Sequence, residues 1–174
     1  IPRKTVLEVR KLADETTEPV TIALSDTKIA FELDAGRIKL VSKLIDGTFP
    51  DYERVIPRDN DRVMMVDNKL FAKAVDRVAT ISAEKSRSVR MAIEPGRIIL
   101  TVRNMEAGQA VEELEVDYGG ESFELSFNAR YLLDIAGQLD GDTALFKLAD
   151  PGSPTVIQDR EGASALYVLM PMRV

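Results

Sequence analysis

Residues 62–82 read RVMMVDNKLFAKAVDRVATIS, and residues 122–139 read SFELSFNARYLLDIAGQL. Each stretch begins with β-forming residues, passes through Asp or Asn, and continues with apolar residues three and four positions apart. Asp and Asn are favoured helix N-caps, so each stretch predicts a strand that runs directly into a helix. The predicted helices span residues 68–82 and 128–139.

The helical pattern occurs a third time at residues 2–13, where Val6, Val9 and Ala13 follow helical spacing and Pro2 suits the first turn. Each helix is followed by three short apolar runs bounded by Gly, Asp or Asn, which is typical of antiparallel strands. A unit of one helix and three strands therefore occurs three times. The predicted strands span residues 20–24, 28–33 and 37–45, then 89–93, 97–102 and 110–116, then 143–148, 154–158 and 165–170.

The repeat also predicts the domain organisation. Strands before the second and third helices complete two βαβββ units, and no equivalent strand precedes the first helix. We therefore expect residues 1–53 to be the second half of a two-unit domain and residues 54–174 to be a complete one. The turn-rich segment 47–52 is the predicted linker. Because the chain begins with Ile rather than Met, we expect a fragment of a longer protein.

The composition excludes several kinds of chemistry. The 174 residues contain no His and no Cys, which removes Ser-His-Asp and Cys-His catalysis, His-ligated zinc and thiolate metal sites. No apolar run approaches the ~20 residues of a membrane span, and there is no signal-peptide pattern. The absence of Cys fits a soluble protein of a reducing compartment, and we expect no membrane partner.

The densest group of residues suited to acid–base chemistry lies in the segment 103–124, which holds seven acids against one Arg. On a strand, Glu113 and Glu115 share one face and Glu112 lies on the other, a pattern typical of a solvated edge strand. A small, metal-assisted, carboxylate-dependent hydrolase remains the rival function. Gly119-Gly120 lacks the Lys-Ser/Thr of a phosphate loop and is interpreted as a hairpin turn.

The formal net charge of −6 argues against nucleic-acid binding, but the charges are unevenly distributed. Residues 1–13 carry a net charge of +3 and residues 68–90 a net charge of +4. In the second helix, Lys69, Lys73 and Arg77 step by four residues and share one stripe. A charged outer face is normal for an amphipathic helix. Its recurrence in successive units favours a shared basic surface.

Four segments are more specific than the repeat: IPRK at 1–4, SKLIDGTFPDY at 42–52, FNARYL at 127–132 and YVLMPMR at 167–173. They resemble the bacterial β sliding clamps, the processivity rings of replicative DNA polymerases. The resemblance implies an α+β DNA clamp fold of repeated βαβββ units, with antiparallel sheets outside and helices lining the inner face. It also implies half of the middle domain plus the whole last domain of a protein that forms a homodimeric ring in its full-length form.

The resemblance gives the basic helices a function in DNA replication. A ring that holds double-stranded DNA without reading its sequence needs diffuse Lys and Arg contacts to phosphate. Arg3 and Lys4 match inner-surface positions of the family, whereas Lys11, Lys73 and Arg77 are inferred from their helical faces. The implied function is a cytoplasmic, non-catalytic processivity factor with no catalytic residue, no metal and no cofactor. A protein-interaction module without a DNA role is a further alternative.

The second implied function is partner binding. In the family, DNA polymerase, clamp loader and repair proteins dock short linear motifs in an apolar pocket between the middle and last domains. Met and Pro suit a pocket that accepts different peptides, although Met170-Pro171-Met172 could equally close a core. The pocket residues carried over by motif are Pro50, Arg54, Val55, Asn128, Tyr131, Pro154, Val168, Met170, Pro171, Met172 and Arg173.

Ring closure is implied for the segment that follows the second helix. Thr80 and Ile81 match the family's dimer interface. Ile81 suits a core position equally well.

Overall fold

The chain alternates short antiparallel strands with amphipathic helices. A computed structural model describes residues 1–82 and 87–172. The chain divides into unit 1, Ile1–Pro50, and unit 2, Asp51–Val174. In chain order the elements are α1 Arg3–Ala13, β1 Thr21–Leu24, β2 Lys28–Leu33, β3 Ile38–Lys43, a short 3₁₀ helix Tyr52–Val55, β4 Arg62–Asp67, α2 Asn68–Ala79, β5 Ser88–Glu94, β6 Arg97–Asn104, β7 Gly108–Glu115, β8 Phe123–Asn128, α3 Ala129–Ala136, β9 Thr143–Leu148, β10 Thr155–Gln158 and β11 Tyr167–Leu169.

Unit 1 is a three-stranded antiparallel sheet with one helix packed against it. The strand order is β1-β2-β3. Ile29, Phe31 and Leu33 of the middle strand form the core, and α1 contributes Val9 and Leu12 to it. The edge strand β1 is exposed along its whole length. The helix therefore covers only part of the apolar face of this sheet.

The first turn of α1 differs from the predicted apolar stripe. The spacing predicts Val6 on the core side, but this side chain is 50% exposed. The buried residue of the first turn is instead Thr5, whose Oγ1 forms a 2.8 Å hydrogen bond with Ser42 Oγ. The buried face of α1 thus includes a hydroxyl pair that links the helix to β3, which apolar periodicity alone does not reveal.

Unit 2 contains two βαβββ units that exchange their first strands. β4 pairs with β9 of the second unit, giving the sheet order β11-β10-β9-β4. β8 pairs with β5 of the first unit, giving the order β7-β6-β5-β8. Met65 and Asp117 exchange main-chain hydrogen bonds of 2.9 and 2.8 Å between the two sheets. Each sheet therefore combines three strands of one unit with the first strand of the other.

The exchange corrects the interpretation of Gly119-Gly120. These residues do not form a hairpin turn, because β7 and β8 lie at opposite edges of the same sheet. The connection follows the main chain of another turn, with Gly96 N donating to Tyr118 O at 2.9 Å. A Cβ on Gly120 would approach the Tyr118 hydroxyl to 2.5 Å. Glycine is needed there because the ring of Tyr118 occupies the space.

One continuous core lies beneath the helices of unit 2. Phe71 and Val75 of α2 and Leu132 of α3 are at most 1% exposed and belong to the same cluster. The ring of Phe71 meets the ring of Phe146 edge-on, with centroids 5.3 Å apart. Burying each of these large side chains stabilises the fold by about 1.5–3 kcal/mol. Because these apolar side chains pack into the core, the opposite faces of α2 and α3 are exposed to solvent.

Side chains cap both helices of unit 2 as the sequence predicts. Asp67 Oδ1 accepts a 2.8 Å hydrogen bond from Leu70 N, and Asn128 Oδ1 accepts one of 2.9 Å from Arg130 N. These caps satisfy main-chain N–H groups that have no partner within the helix.

Both helices end earlier than predicted. α2 ends at Ala79 rather than at residue 82, and the Thr80 hydroxyl donates back to Asp76 O at 3.1 Å. α3 ends at Ala136 rather than at residue 139, with Gly137 as its C-cap. Gly is a weak helix former, which explains this end.

Candidate functional site

The basic residues of α1 are exposed. Arg3, Lys4 and Lys11 all project from the part of the helix surface that is open to solvent. Within the described part of the chain, none of these three residues forms an ion pair. Their charges are therefore available to an anionic ligand.

The basic stripe of α2 is present, but the first and last of its three cations each form an ion pair with a carboxylate. Lys69 Nζ lies 2.8 Å from Asp142 Oδ1. Arg77 donates from Nε and Nη2 to the two carboxylate oxygens of Glu112, at 2.7 and 2.9 Å. The exposed Lys73 between them has no ion pair among the residues that the structure describes. Lys73 is thus the cation of this stripe with its charge uncompensated.

The hydrogen bonds shift the pKa values of these groups. The bond to Lys69 lowers the pKa of Asp142 below its ordinary value and raises the pKa of Lys69. The bond to Arg77 likewise lowers the pKa of Glu112 and raises that of Arg77. Both carboxylates are therefore ionised at neutral pH, and both pairs are fully charged.

An apolar groove of about 470 Å³ lies between α3 and β11. Tyr131 lines it and is 54% exposed, so its ring is open to a ligand. Among the predicted pocket residues, Tyr131 and Val168 belong to this groove. The sequence reasoning missed its other lining residues. Two of them lie on α3 about one helical turn beyond Tyr131, and three lie within two residues of Val168. The missed lining residues are Asp134, Ile135, Leu166, Tyr167 and Leu169.

The segment after β11 is fixed to the neighbouring sheet. Met172 N donates to Ser126 O at 2.7 Å, which anchors the chain end on β8. Pro171 is buried, whereas Met170 is 56% exposed. Along the segment Met170-Pro171-Met172, the first side chain is therefore exposed, the second is buried and the third is half-buried. Arg173, also predicted for the pocket, lies outside the described residues.

The other predicted pocket residues do not line the groove. Asn128 caps α3, and Pro154 O accepts a hydrogen bond of 2.9 Å from the Asn60 side chain. Arg54 pairs with Asp51 at 2.9 Å, and Val55 beside it is 58% exposed. These residues of unit 2 are separate from the groove wall. Pro50 belongs to unit 1.

The two predicted interface residues differ in burial. Thr80 is exposed, whereas Ile81 is half-buried and packs against the core. Ile81 O also accepts a 2.8 Å hydrogen bond from Asn104 Nδ2. Thr80 lines a depression of about 410 Å³ whose walls include Arg87 and Arg130. Thr80 is thus open to a partner, and Ile81 contributes mainly to packing.

The acidic strand β7 is an edge strand, and two of its acids form ion pairs. Glu112 binds Arg77, and Glu113 lies 3.5 Å from Arg97. Within residues 1–82 and 87–172, no three carboxylates are grouped to hold a metal ion. No helix in that same part of the chain is both long and apolar enough to cross a membrane.

Comparisons with known proteins assign this arrangement to a class. A solved Caulobacter crescentus beta sliding clamp superposes with a TM-score of 0.92 and 62% identity, covering all of this chain and 46% of that one. A Bartonella birtlesii sliding clamp bound to griselimycin superposes with a TM-score of 0.91 and 50% identity, over the same shares. These exchanged βαβββ units therefore form the DNA clamp fold, which confirms the predicted α+β fold class.

Family models identify the chain further. The model of the C-terminal domain of the DNA polymerase III beta subunit matches residues 53–173, and that of the central domain matches residues 1–51. The chain belongs to the beta sliding clamp family, as its sequence motifs predicted. It is 62% identical over 174 residues to the Caulobacter vibrioides beta sliding clamp and 35% identical to that of Escherichia coli. It spans about half the length of these relatives, 46% and 47%.

Proposed function

We propose that this chain is part of a DNA replication processivity factor, a clamp that encircles duplex DNA and tethers the polymerase. The observation that carries the proposal is a set of exposed cations on two helices, none of which forms an ion pair with any residue that the structure describes: Arg3, Lys4, Lys11 and Lys73. Such cations neutralise phosphates without reading bases, so the protein can move along the duplex. Arg77 is a weaker contact because Glu112 holds it.

The protein acts in this proposal by topology and docking rather than by catalysis. It requires no cofactor and is located in the cytoplasm. The full-length protein closes as a homodimeric ring, with Thr80 and Ile81 at the interface. Residues 1–53 form the second half of the middle domain, and residues 54–174 form the last domain.

The groove beside α3 is the proposed docking site for partner proteins. Its apolar walls and the exposed Tyr131 suit apolar residues of a short linear motif carried by polymerase, clamp loader or repair proteins. The griselimycin-bound relative supports a ligand site on clamps of this family. Besides Tyr131 and Val168, which line the groove, the residues carried over by motif stay proposed contacts of the partner peptide: Pro50, Arg54, Val55, Asn128, Pro154, Met170, Pro171, Met172 and Arg173.

The DNA role is tested by replacing both first-turn cations of α1, Arg3→Ala and Lys4→Ala, in the full-length protein. We expect faster loss of the loaded clamp from primed circular DNA. The salt dependence of binding should weaken by a slope of about 0.9 for each lost phosphate contact. Removing the paired cations Arg37 and Lys39, which bind Asp34 and Glu32, is the matched control. Retention equal to that of the unaltered protein would instead favour an interaction module without a DNA role.

A further inference from the structure

The two basic helices differ in how their charges are compensated. Arg3, Lys4 and Lys11 on α1 form no ion pair within the described residues, whereas Lys69 and Arg77 on α2 each bind a carboxylate. The acids that bind the α2 cations come from distant parts of the chain, 73 residues from Lys69 and 35 residues from Arg77. The helical spacing of Lys69 and Arg77 does not predict either ion pair. The carboxylates therefore change what α2 offers to an anion.

We propose that Glu112 and Asp142 weaken the grip of α2 on DNA by occupying two of its three stripe cations. The inference rests on the proposed function, in which α2 faces phosphate. Glu112 occupies Nε and Nη2 of Arg77 and compensates its charge, so a phosphate that contacts the remaining N–H groups gains less than it would from a free cation. Lys73 remains as the freely available contact of this stripe.

Glu112 is well placed to hold Arg77. It lies opposite the fully buried Leu100 in the register of β6 and β7, so its side chain leaves the sheet on the core side, toward α2. Its side chain is 29% exposed, and it accepts two parallel hydrogen bonds from the guanidinium. Paired bonds of this kind fix the geometry better than a single contact does. Arg77 is consequently held against the sheet edge.

Asp142 is fixed through its main chain as well as its side chain. Asp142 O accepts a 2.8 Å hydrogen bond from Asn68 N, at the first residue of α2. The α3–β9 connection therefore places Asp142 at the start of α2, where its exposed carboxylate lies 2.8 Å from Lys69 Nζ. The two acids lie near opposite ends of the same helix and lower the phosphate affinity of each end.

A moderate grip suits a protein that must slide. Each fully engaged cation adds to the number of counterions released, and binding strength rises steeply with that number. A helix with three free cations would hold the duplex more tightly and slow its movement. The two carboxylates lower the affinity of α2 for phosphate, while the Lys and Arg side chains remain in place.

The test measures binding of the 174-residue chain to a short fluorescent duplex by anisotropy, across about 50 to 200 mM salt. Glu112→Gln should strengthen binding about tenfold at the lowest salt and steepen the salt slope by about 0.9, because one cation is freed. Glu113→Gln is the matched control, since it removes the same charge from the next residue of β7, which pairs with Arg97. Its slope should match that of the unaltered chain.

Two further comparisons keep the result independent of one substitution. Asp142→Asn should reproduce the gain through Lys69, with Asp140→Asn as its control. In the Arg77→Gln background, the gain from Glu112→Gln should disappear, since the two residues act as a pair.

Equal gains in Glu112→Gln and Glu113→Gln, or a gain that survives Arg77→Gln, would overturn the inference and leave the proposed function intact. Absence of salt-dependent binding in every variant and in the unaltered chain would overturn the inference alone, because the proposed function rests on a closed ring and is tested by retention of the full-length protein on circular DNA.

Discussion

Phe146 on β9 connects the two repeats of unit 2. Its ring is 1% exposed, packs edge-on against Phe71 of the first repeat, and lies opposite Met64 in the β4–β9 register. Replacing it with Ala removes a buried aromatic ring and leaves a cavity. We expect Phe146→Ala to lower the free energy of unfolding by about 3–5 kcal/mol, of which the ring pair contributes about 0.5–1.5 kcal/mol.

The exchanged strands determine how this loss is distributed. Because β4 belongs to one repeat and β9 to the other, the repeats cannot separate without breaking both sheets. Native-state amide exchange should therefore accelerate equally in β5 of the first repeat and in β9 of the second. The expected acceleration is between about one hundred-fold and several thousand-fold, since 1.4 kcal/mol corresponds to about a factor of ten.

Two variants keep this experiment interpretable. Phe146→Leu retains most of the volume and should cost about 1–2 kcal/mol, so unit 2 stays folded. Tyr131→Ala removes a ring that is 54% exposed and should change stability by less than about 0.5 kcal/mol. Accelerated exchange in β9 with unchanged exchange in β5 would mean that the repeats unfold separately, which would refute the single shared core.

Two further predictions concern the docking groove and acid stability. Tyr131→Ala should weaken binding of a clamp-binding peptide at least tenfold by calorimetry, with Arg130→Ala as the control on the same helix. Peptide-induced NMR shifts confined to the acidic strand β7 would contradict the groove assignment. The hydrogen bond with Arg77 lowers the pKa of Glu112 below its ordinary 4.5. The pair therefore stabilises the folded state above pH 4.5, and this stabilisation is lost as the pH falls through the folded-state pKa of Glu112. Glu112→Gln should therefore show a smaller loss of stability on acidification in urea titrations; an unchanged pH profile would argue against the pair.

The helices and strands were predictable because their signals are local. Asp67 and Asn128 mark helix starts through hydrogen bonds to residues two or three positions away, and apolar spacing identifies the buried faces. Errors arose where a nonlocal contact prevailed. Thr5, rather than Val6, is buried in the first turn of α1 because its hydroxyl forms a hydrogen bond with Ser42 on β3.

The candidate site was predictable in part, for a related reason. Family motifs pointed to Tyr131 and Val168, which both line the groove. Asp134 and Leu166 carry no motif, and they join the groove because α3 lies beside β11. The step of four residues identified the stripe that includes Arg77, but it carried no information on the carboxylate that holds it.

The sequence by itself determined the repeated helix-and-strand units, the basic helices and the membership in a family. Only the tertiary structure decided that β4 and β8 are exchanged, that Glu112 and Asp142 compensate two cations of α2, and that a groove lies beside α3. The physical reason is that periodicity specifies which face of an element is apolar. It does not specify which strand edges pair or which distant charges meet, because those depend on how the elements pack together.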